Sequence, residues 1–258
     1  MELFDAVTER GVTERRFDLK VGQDVVPGIM WTPEEASGGR PLVLIGHGGT
    51  QHKRTANVLS LARRFVRHLG YAVVAIDAPG HGDRLSPEER RLSREERRGR
   101  ILGASPEERR RRLGRTTGAV EEWRATLDAV HGLNVVGRGP VGYWGVSMGT
   151  AIGLPFVASE PRVSCAVLGL AGLRADRPGA DAFAAAAASL TIPLLFMLQS
   201  DDEVVPRDAG IALFDAFGST EKTMHLSPGP HVGIPLYERD YYETFFARHL
   251  AGAGGSTR

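Results

Sequence analysis

What constrains this chain most is an alternation repeated along most of its length. Short apolar runs take turns with longer stretches of helical periodicity. The run "PLVLIGHGG" (41–49) reads as a buried strand ending in glycines, and "KRTANVLSLARRFVRHLG" as an amphipathic helix that stops at Gly70. The buried strand "YAVVAIDAPGHG" comes next, then a helix over "GAVEEWRATLDAVHGL", then a strand, turn and helix start in "VGYWGVSMG". Three more strands, "VSCAVLGLAG", "IPLLFMLQS" and "EKTMHLS", follow, with helices near 207–217 and 236–250 after the last two. Ahead of all this, "RRFDLKVGQDVVPGIMWTP" reads as two antiparallel strands joined through Gly22, Gln23 and Asp24. Alternation of this kind predicts an α/β fold: a mostly parallel, eight-stranded sheet with helices on both faces. With 258 residues, 42% of them hydrophobic, the chain can build one sizeable core. The expectation is a single domain over 1–251, with the Gly-rich end 252–258 a disordered tail.

One region breaks the pattern. Between Arg84 and Arg115 stand twelve arginines and six glutamates, a local net charge of +6. Three serines there, Ser86, Ser93 and Ser105, each have Glu three residues later, and two are followed by proline. That is the signature of a helix start with a capping box. The segment from 84 to about 117 is expected to be a short helical insertion over the sheet edge. Its arginines can be solvated helix faces, line a substrate entrance, or do both.

In an open parallel sheet, ligand chemistry belongs at the carboxyl ends of the strands. Reactive side chains should therefore follow the apolar runs, as Ser147, Asp202 and His231 do. Ser147 lies in Gly145-Val146-Ser147-Met148-Gly149, a G-x-S-x-G pentapeptide between a strand and a small-residue helix. Such a serine occupies a strained turn, and its flanking glycines remove Cβ atoms that would collide. A serine hydroxyl is a poor nucleophile at neutral pH. It needs a base, an acid to orient that base, and donors for the oxyanion that forms. Eight histidines offer a base. His225 lies inside a strand; His231 lies in the Pro/Gly-shaped loop after it, in "SPGPHVG". For the acid, "QSDDEVVP" offers Asp201 and Asp202.

With these motifs assembled, the chain resembles the α/β-hydrolase superfamily over roughly residues 15–250. The likeness is carried in order by "IGHGG", "DAPGHG", "GVSMG", "QSDDEVVP" and "GPHVG", and the order serine, acid, histidine is that fold's order. The serine esterase and dienelactone-hydrolase-like branches share its "HGG" and "D-x-x-V-P" features, although the nucleophile here is Ser, not Cys. The resemblance implies Ser147, Asp202 and His231 as catalytic residues and leaves Asp201 a turn or hydrogen-bonding role. It also implies an oxyanion hole from the amides of Met148 and Gly49, with Gly48 second. His47 would buttress that loop, and Asp77 and His81 would shape a turn. The implied activity is hydrolysis of a small-molecule carboxylic ester through an acyl-enzyme; a thioester, lactone or peptide bond could use the same residues. A fold that only binds is the rival, disfavoured because serine, acid and histidine are all retained.

Other function classes fit poorly. A formal net charge of +1 gives no general attraction to nucleic acid. Neither HExxH nor a paired-cysteine cluster occurs, so no metal is expected, and neither a P-loop nor a G-x-G-x-x-G opening suggests a cofactor. The one cysteine, Cys165, sits in an apolar run and reads as a buried small hydrophobe. The acidic start "MELFDAVTER" does not resemble a signal peptide, and no apolar run is long enough to span a bilayer. The expectation is a soluble, cytoplasmic enzyme, with a homo-oligomer left open.

Overall fold

The computed structural model describes residues 1–35, 38–176 and 178–251. The tail expected at 252–258 lies outside them. The strands are β1 (Glu2–Glu9), β2 (Val12–Val21), β3 (Asp24–Pro33), β4 (Leu42–Gly46), β5 (Ala72–Ile76), β6 (Val141–Val146), β7 (Val163–Gly169), β8 (Leu194–Gln199) and β9 (Lys222–Ser227). They form one sheet in the order β1-β2-β3-β5-β4-β6-β7-β8-β9. β1, β2 and β3 run antiparallel to their neighbours, and every pairing from β5 and β4 through to β9 is parallel.

The sheet has nine strands, one more than the eight expected. The addition is β1, which pairs with β2 at the sheet edge. All eight of its residues are exposed, so "ELFDAVTE" carries no burial pattern for the eye to catch. The central strands carry a strong one. Leu42 and Leu44 point into one core and Val43 and Ile45 into the other, and β5 divides in the same way. A continuous apolar run is what a strand covered on both faces requires.

Helix α1 (Ala56–Leu69) covers one face and ends at Gly70 in the left-handed conformation, φ 68°. On that face it meets α8 (Glu238–Leu250), Phe65 lying edge-on to Phe246 at 5.4 Å. The remaining α/β crossovers use α5 (Met148–Ser159), α6 (Ala180–Ser189) and α7 (Arg207–Ala216). Helix α6 was not anticipated, because its run "ADAFAAAAAS" has almost no polar residues to mark a period.

The Arg-rich segment folds as α2 (Pro87–Arg90), α3 (Arg94–Leu102) and α4 (Pro106–His131), after a 3-10 turn at Gly82–Arg84. All three capping boxes form: Ser86 with Glu89, Ser93 with Glu96, and Ser105 with Glu108. Each such cap is worth on the order of 1 kcal/mol. The segment does not close near 117. Its last helix runs on through "GAVEEWRATLDAVH", so two stretches read separately make one 26-residue helix. The second half of α4 buries Trp123 and Leu127 against the sheet, with Trp123 edge-on to Tyr143 at 5.8 Å. Arg84 joins the turn to this helix through a bidentate pair with Glu122 (2.7 and 2.8 Å).

Candidate active site

Four loops leave the carboxyl ends of β4, β6, β8 and β9 on the same side of the sheet. They bring together residues far apart in sequence. Ser147 is the hinge between β6 and α5, with φ 57° and ψ −117°. A side-chain-bearing residue held there stores on the order of 1–3 kcal/mol of strain, which its surroundings must offset. Ser147 N–H donates to Gly169 O at 2.8 Å. Thr150 Oγ1, buried one turn on, lies 2.8 Å from Gly145 O and 2.6 Å from Gly169 O and accepts Gly169 N–H at 2.9 Å. The elbow is thus tied to β7.

The flanking glycines are a matter of space. A Cβ at Gly149 would stand 2.3 Å from Gly46 O, the backbone at the end of β4. One at Gly145 would stand 2.7 Å from Gly149 O and equally near the Tyr143 ring. Tyr143 fills the space behind the turn, and its hydroxyl donates to Gly149 O at 2.8 Å. Burial pushes that phenol well above its ordinary pKa, so it remains a donor.

The Ser147 hydroxyl lies 2.8 Å from His231 Nε2, and His231 Nδ1 lies 2.7 Å from Asp202 Oδ2. A carboxylate only accepts, so Nδ1 carries the proton and Nε2 is free to accept from the serine. Asp202 Oδ1 accepts the N–H groups of Val204 and Val205, both at 2.8 Å. The "DEVV" turn therefore curls around the carboxylate and fixes it. Asp202 and His231 side chains are only 2% and 9% exposed. Asp201 faces elsewhere: its Oδ2 accepts Gly229 N–H at 3.0 Å, the hydrogen-bonding role expected of it.

The remaining residues expected lie at the start of α5 and in the loops after β4 and β5. Met148 is the first residue of α5, where an amide has no intrahelical acceptor. Gly49 N–H makes no hydrogen bond among the described residues. Gly48 N–H, the second candidate, is engaged by Gln51 Oε1 at 3.1 Å. Sequence could not reveal this, since Gln51 reads as an ordinary loop residue. His47 lies beneath the loop. Its Nε2 accepts Ala78 N–H at 3.0 Å and its Nδ1 donates to Gly48 O at 2.9 Å. Burial first, and the neighbouring His81 next, hold its pKa down at about 4, so it stays neutral. Asp77 is fully buried and takes Lys53 Nζ at 2.5 Å and Asp83 N–H at 2.8 Å. It organises the turn and does not face the serine.

Glu203 was missed. Its Oε2 accepts the backbone N–H of His231 at 2.9 Å, and its Oε1 pairs with Arg98 of α3. The His231 N–H foremost, and then its own N–H and Arg98, hold its carboxyl down at about 2. Among the described residues no cluster of His, Cys, Asp and Glu could hold a metal ion. No described helix is long and apolar enough to cross a membrane. Cys165 is buried, and burial raises its thiol pKa.

Comparison with known proteins identifies the family and the fold. A family model described as the alpha/beta hydrolase family matches residues 39–255, so the chain belongs to that family. A search of the curated proteins finds no match. Among solved structures, a cold-adapted esterase from an Arctic intertidal metagenomic library is 34% identical, with a TM-score of 0.80 over 95% of this chain and 97% of its own. An esterase from Pyrococcus furiosus is 14% identical, with a TM-score of 0.66 over 92% of this chain and 93% of its own. A putative dienelactone hydrolase from Klebsiella pneumoniae is 15% identical, with a TM-score of 0.65 over 89% and 90%. These last two share the fold. The chain is a hydrolase of the alpha/beta family.

Proposed function

We propose that Ser147, His231 and Asp202 form a catalytic triad that cleaves a carboxylic ester of a small molecule through an acyl-enzyme. The observation that carries this reading is the unbroken chain from Ser147 Oγ through the His231 ring to Asp202, at 2.8 and 2.7 Å. His231 Nε2 takes the serine proton as Oγ adds to the acyl carbon. The imidazolium so formed donates to Asp202, whose other oxygen is already fixed by two backbone amides. The oxyanion meets the amides of Met148 and Gly49; Gly48 takes no part, because Gln51 holds its N–H. His231 then returns the proton to the departing alkoxide. Water, deprotonated by the same nitrogen, attacks the acyl-enzyme, and the acid leaves as Ser147 recovers its proton.

Helices α2 and α3 and the start of α4 act in this reading as a cap over the mouth of the site. Several cap arginines are committed to local anchors: Arg84 to Glu122, Arg98 to Glu203, and Arg97 to carbonyls of its own segment. That supports an architectural use of the basic charge over recognition of an anionic substrate. The cold-adapted esterase at 34% identity supports an ester over a thioester, lactone or peptide.

Labelling with a fluorophosphonate probe is the direct test. Wild type should label and Ser147→Ala should not. An unlabelled wild type, or equal labelling of the variant, would sink the enzyme reading. Chromogenic esters of graded acyl length, run beside thioesters and lactones, then separate the substrate classes.

A further inference from the structure

Three consecutive acidic residues follow β8, and all three reach the same short loop. Asp201 accepts the amide of Gly229, Asp202 the ring of His231, and Glu203 the amide of His231. The histidine is thus held both by its side chain and by its main chain, from neighbouring positions on one turn. The second hold matters mechanically. An imidazole directed only through Nδ1 can still pivot with its backbone, and fixing the backbone N–H removes that freedom.

Glu203 also faces outward. Its other oxygen pairs with Arg98 of α3, and Arg94, one helical turn earlier on the same face, sends Nε to Thr50 Oγ1 at 3.3 Å. Thr50 directly follows Gly49. One face of α3 therefore touches the loop after β4 and, through Glu203, the loop that carries His231.

We propose that Glu203 is a positioning residue of the reaction: its carboxylate fixes the backbone of His231 and joins that histidine to cap helix α3 through Arg98. The inference rests on the triad reading above. It goes beyond it in giving a role to a residue that touches neither serine nor the reacting bond, and in tying the cap to the base. The two contacts are separable, because a glutamine can still accept the His231 N–H but cannot form the ion pair.

The test uses Glu203→Ala, Glu203→Gln and Arg98→Ala, each assayed on short and long p-nitrophenyl esters and by hydrogen–deuterium exchange of peptides covering 228–236. Glu203→Ala should lower kcat on the order of 10- to 100-fold, the scale of a misplaced catalytic group. Its KM for the short ester should hold, and the His231 segment should exchange faster. Glu203→Gln should recover most of that kcat and the slow exchange. Arg98→Ala should keep kcat but raise KM for the long ester. If Glu203→Ala keeps kcat within about twofold of wild type, the proposal fails. If Glu203→Gln falls as far as alanine, or exchange at 228–236 does not change in Glu203→Ala, it fails too. Failure of the triad reading shows differently: the wild type would not label with fluorophosphonate, whereas the exchange measurement needs no activity at all.

Discussion

Acidification should weaken this fold through one buried side chain, His47, well before its paired carboxylates protonate. His47 must stay neutral in the native state, because its Nε2 accepts the Ala78 N–H and a proton there would oppose that bond. Burial lowers its pKa from 6.5 to about 4. The unfolded chain regains the ordinary value and binds a proton that the folded chain refuses. A histidine depressed in this way gives its full stability above pH 6.5, and loses it as pH falls toward 4. Each unit of that interval is worth about 1.4 kcal/mol, so the loss is on the order of 3 kcal/mol. Against a typical total of about 5–15 kcal/mol that is a large fraction. The measurement is urea unfolding of wild type and His47→Asn at pH 7.0, 6.0, 5.0 and 4.5. Asparagine keeps a donor and an acceptor but cannot take up the proton. His131 and His249 are also depressed, chiefly by burial, and contribute equally to both proteins. The wild type should therefore lose stability more steeply below pH 6.5. Parallel curves would refute the claim that His47 is held neutral.

Four further outcomes follow from the site. Asp202→Asn should cut kcat by about 10⁴-fold, by allowing the wrong imidazole tautomer, whereas Asp201→Asn should leave most of it; the reverse ranking in steady-state assays would reassign the acid. Gly149→Ala should fold poorly or not at all, since its Cβ has a carbonyl oxygen at 2.3 Å with nowhere to move; soluble yield and thermal melting would show it. Thr150→Val keeps the shape but orphans the buried Gly169 N–H, costing about 1–3 kcal/mol in denaturant unfolding and slowing fluorophosphonate labelling of Ser147. Lys53→Met leaves the buried Asp77 carboxylate without its cation, a loss on the order of 3–5 kcal/mol by the same unfolding measurement.

The central sheet was legible because its strands are covered on both faces and must be apolar throughout. The capping boxes were legible because they depend on residues three apart. The misses share a physical cause. β1 buries nothing, α6 is almost all alanine, and the length of α4 depends on whether Arg115–Gly118 continues a helix that both sides already favour. None of these leaves a periodic trace. Within the site, the serine, acid and histidine carry local signatures, being a glycine-flanked turn, the first residue of "DEVVP" and a Pro/Gly loop. Gln51 and Glu203 carry none, because each acts by accepting a backbone N–H. Almost any loop residue with a side-chain oxygen could do so, and only the folded geometry selects it.

The glycines around Ser147 show what the structure adds to a motif that was already legible. Tight space around the serine was foreseen, but not what fills it. Gly149 is needed because α5 begins against the carbonyl that ends β4, and Gly145 because the same helix start folds back over β6. The two glycines therefore set how near α5 approaches the loop holding Gly48 and Gly49. Under the mechanism proposed above, a wider separation would draw the Met148 amide away from the Gly49 amide, and two donors too far apart cannot share one oxyanion. The pentapeptide in this fold thus fixes a distance between two loops as well as the exposure of a hydroxyl. That explains why β4 ends in Gly46 as well: a Cβ there would stand 2.0 Å from the Tyr143 hydroxyl that braces Gly149 from behind.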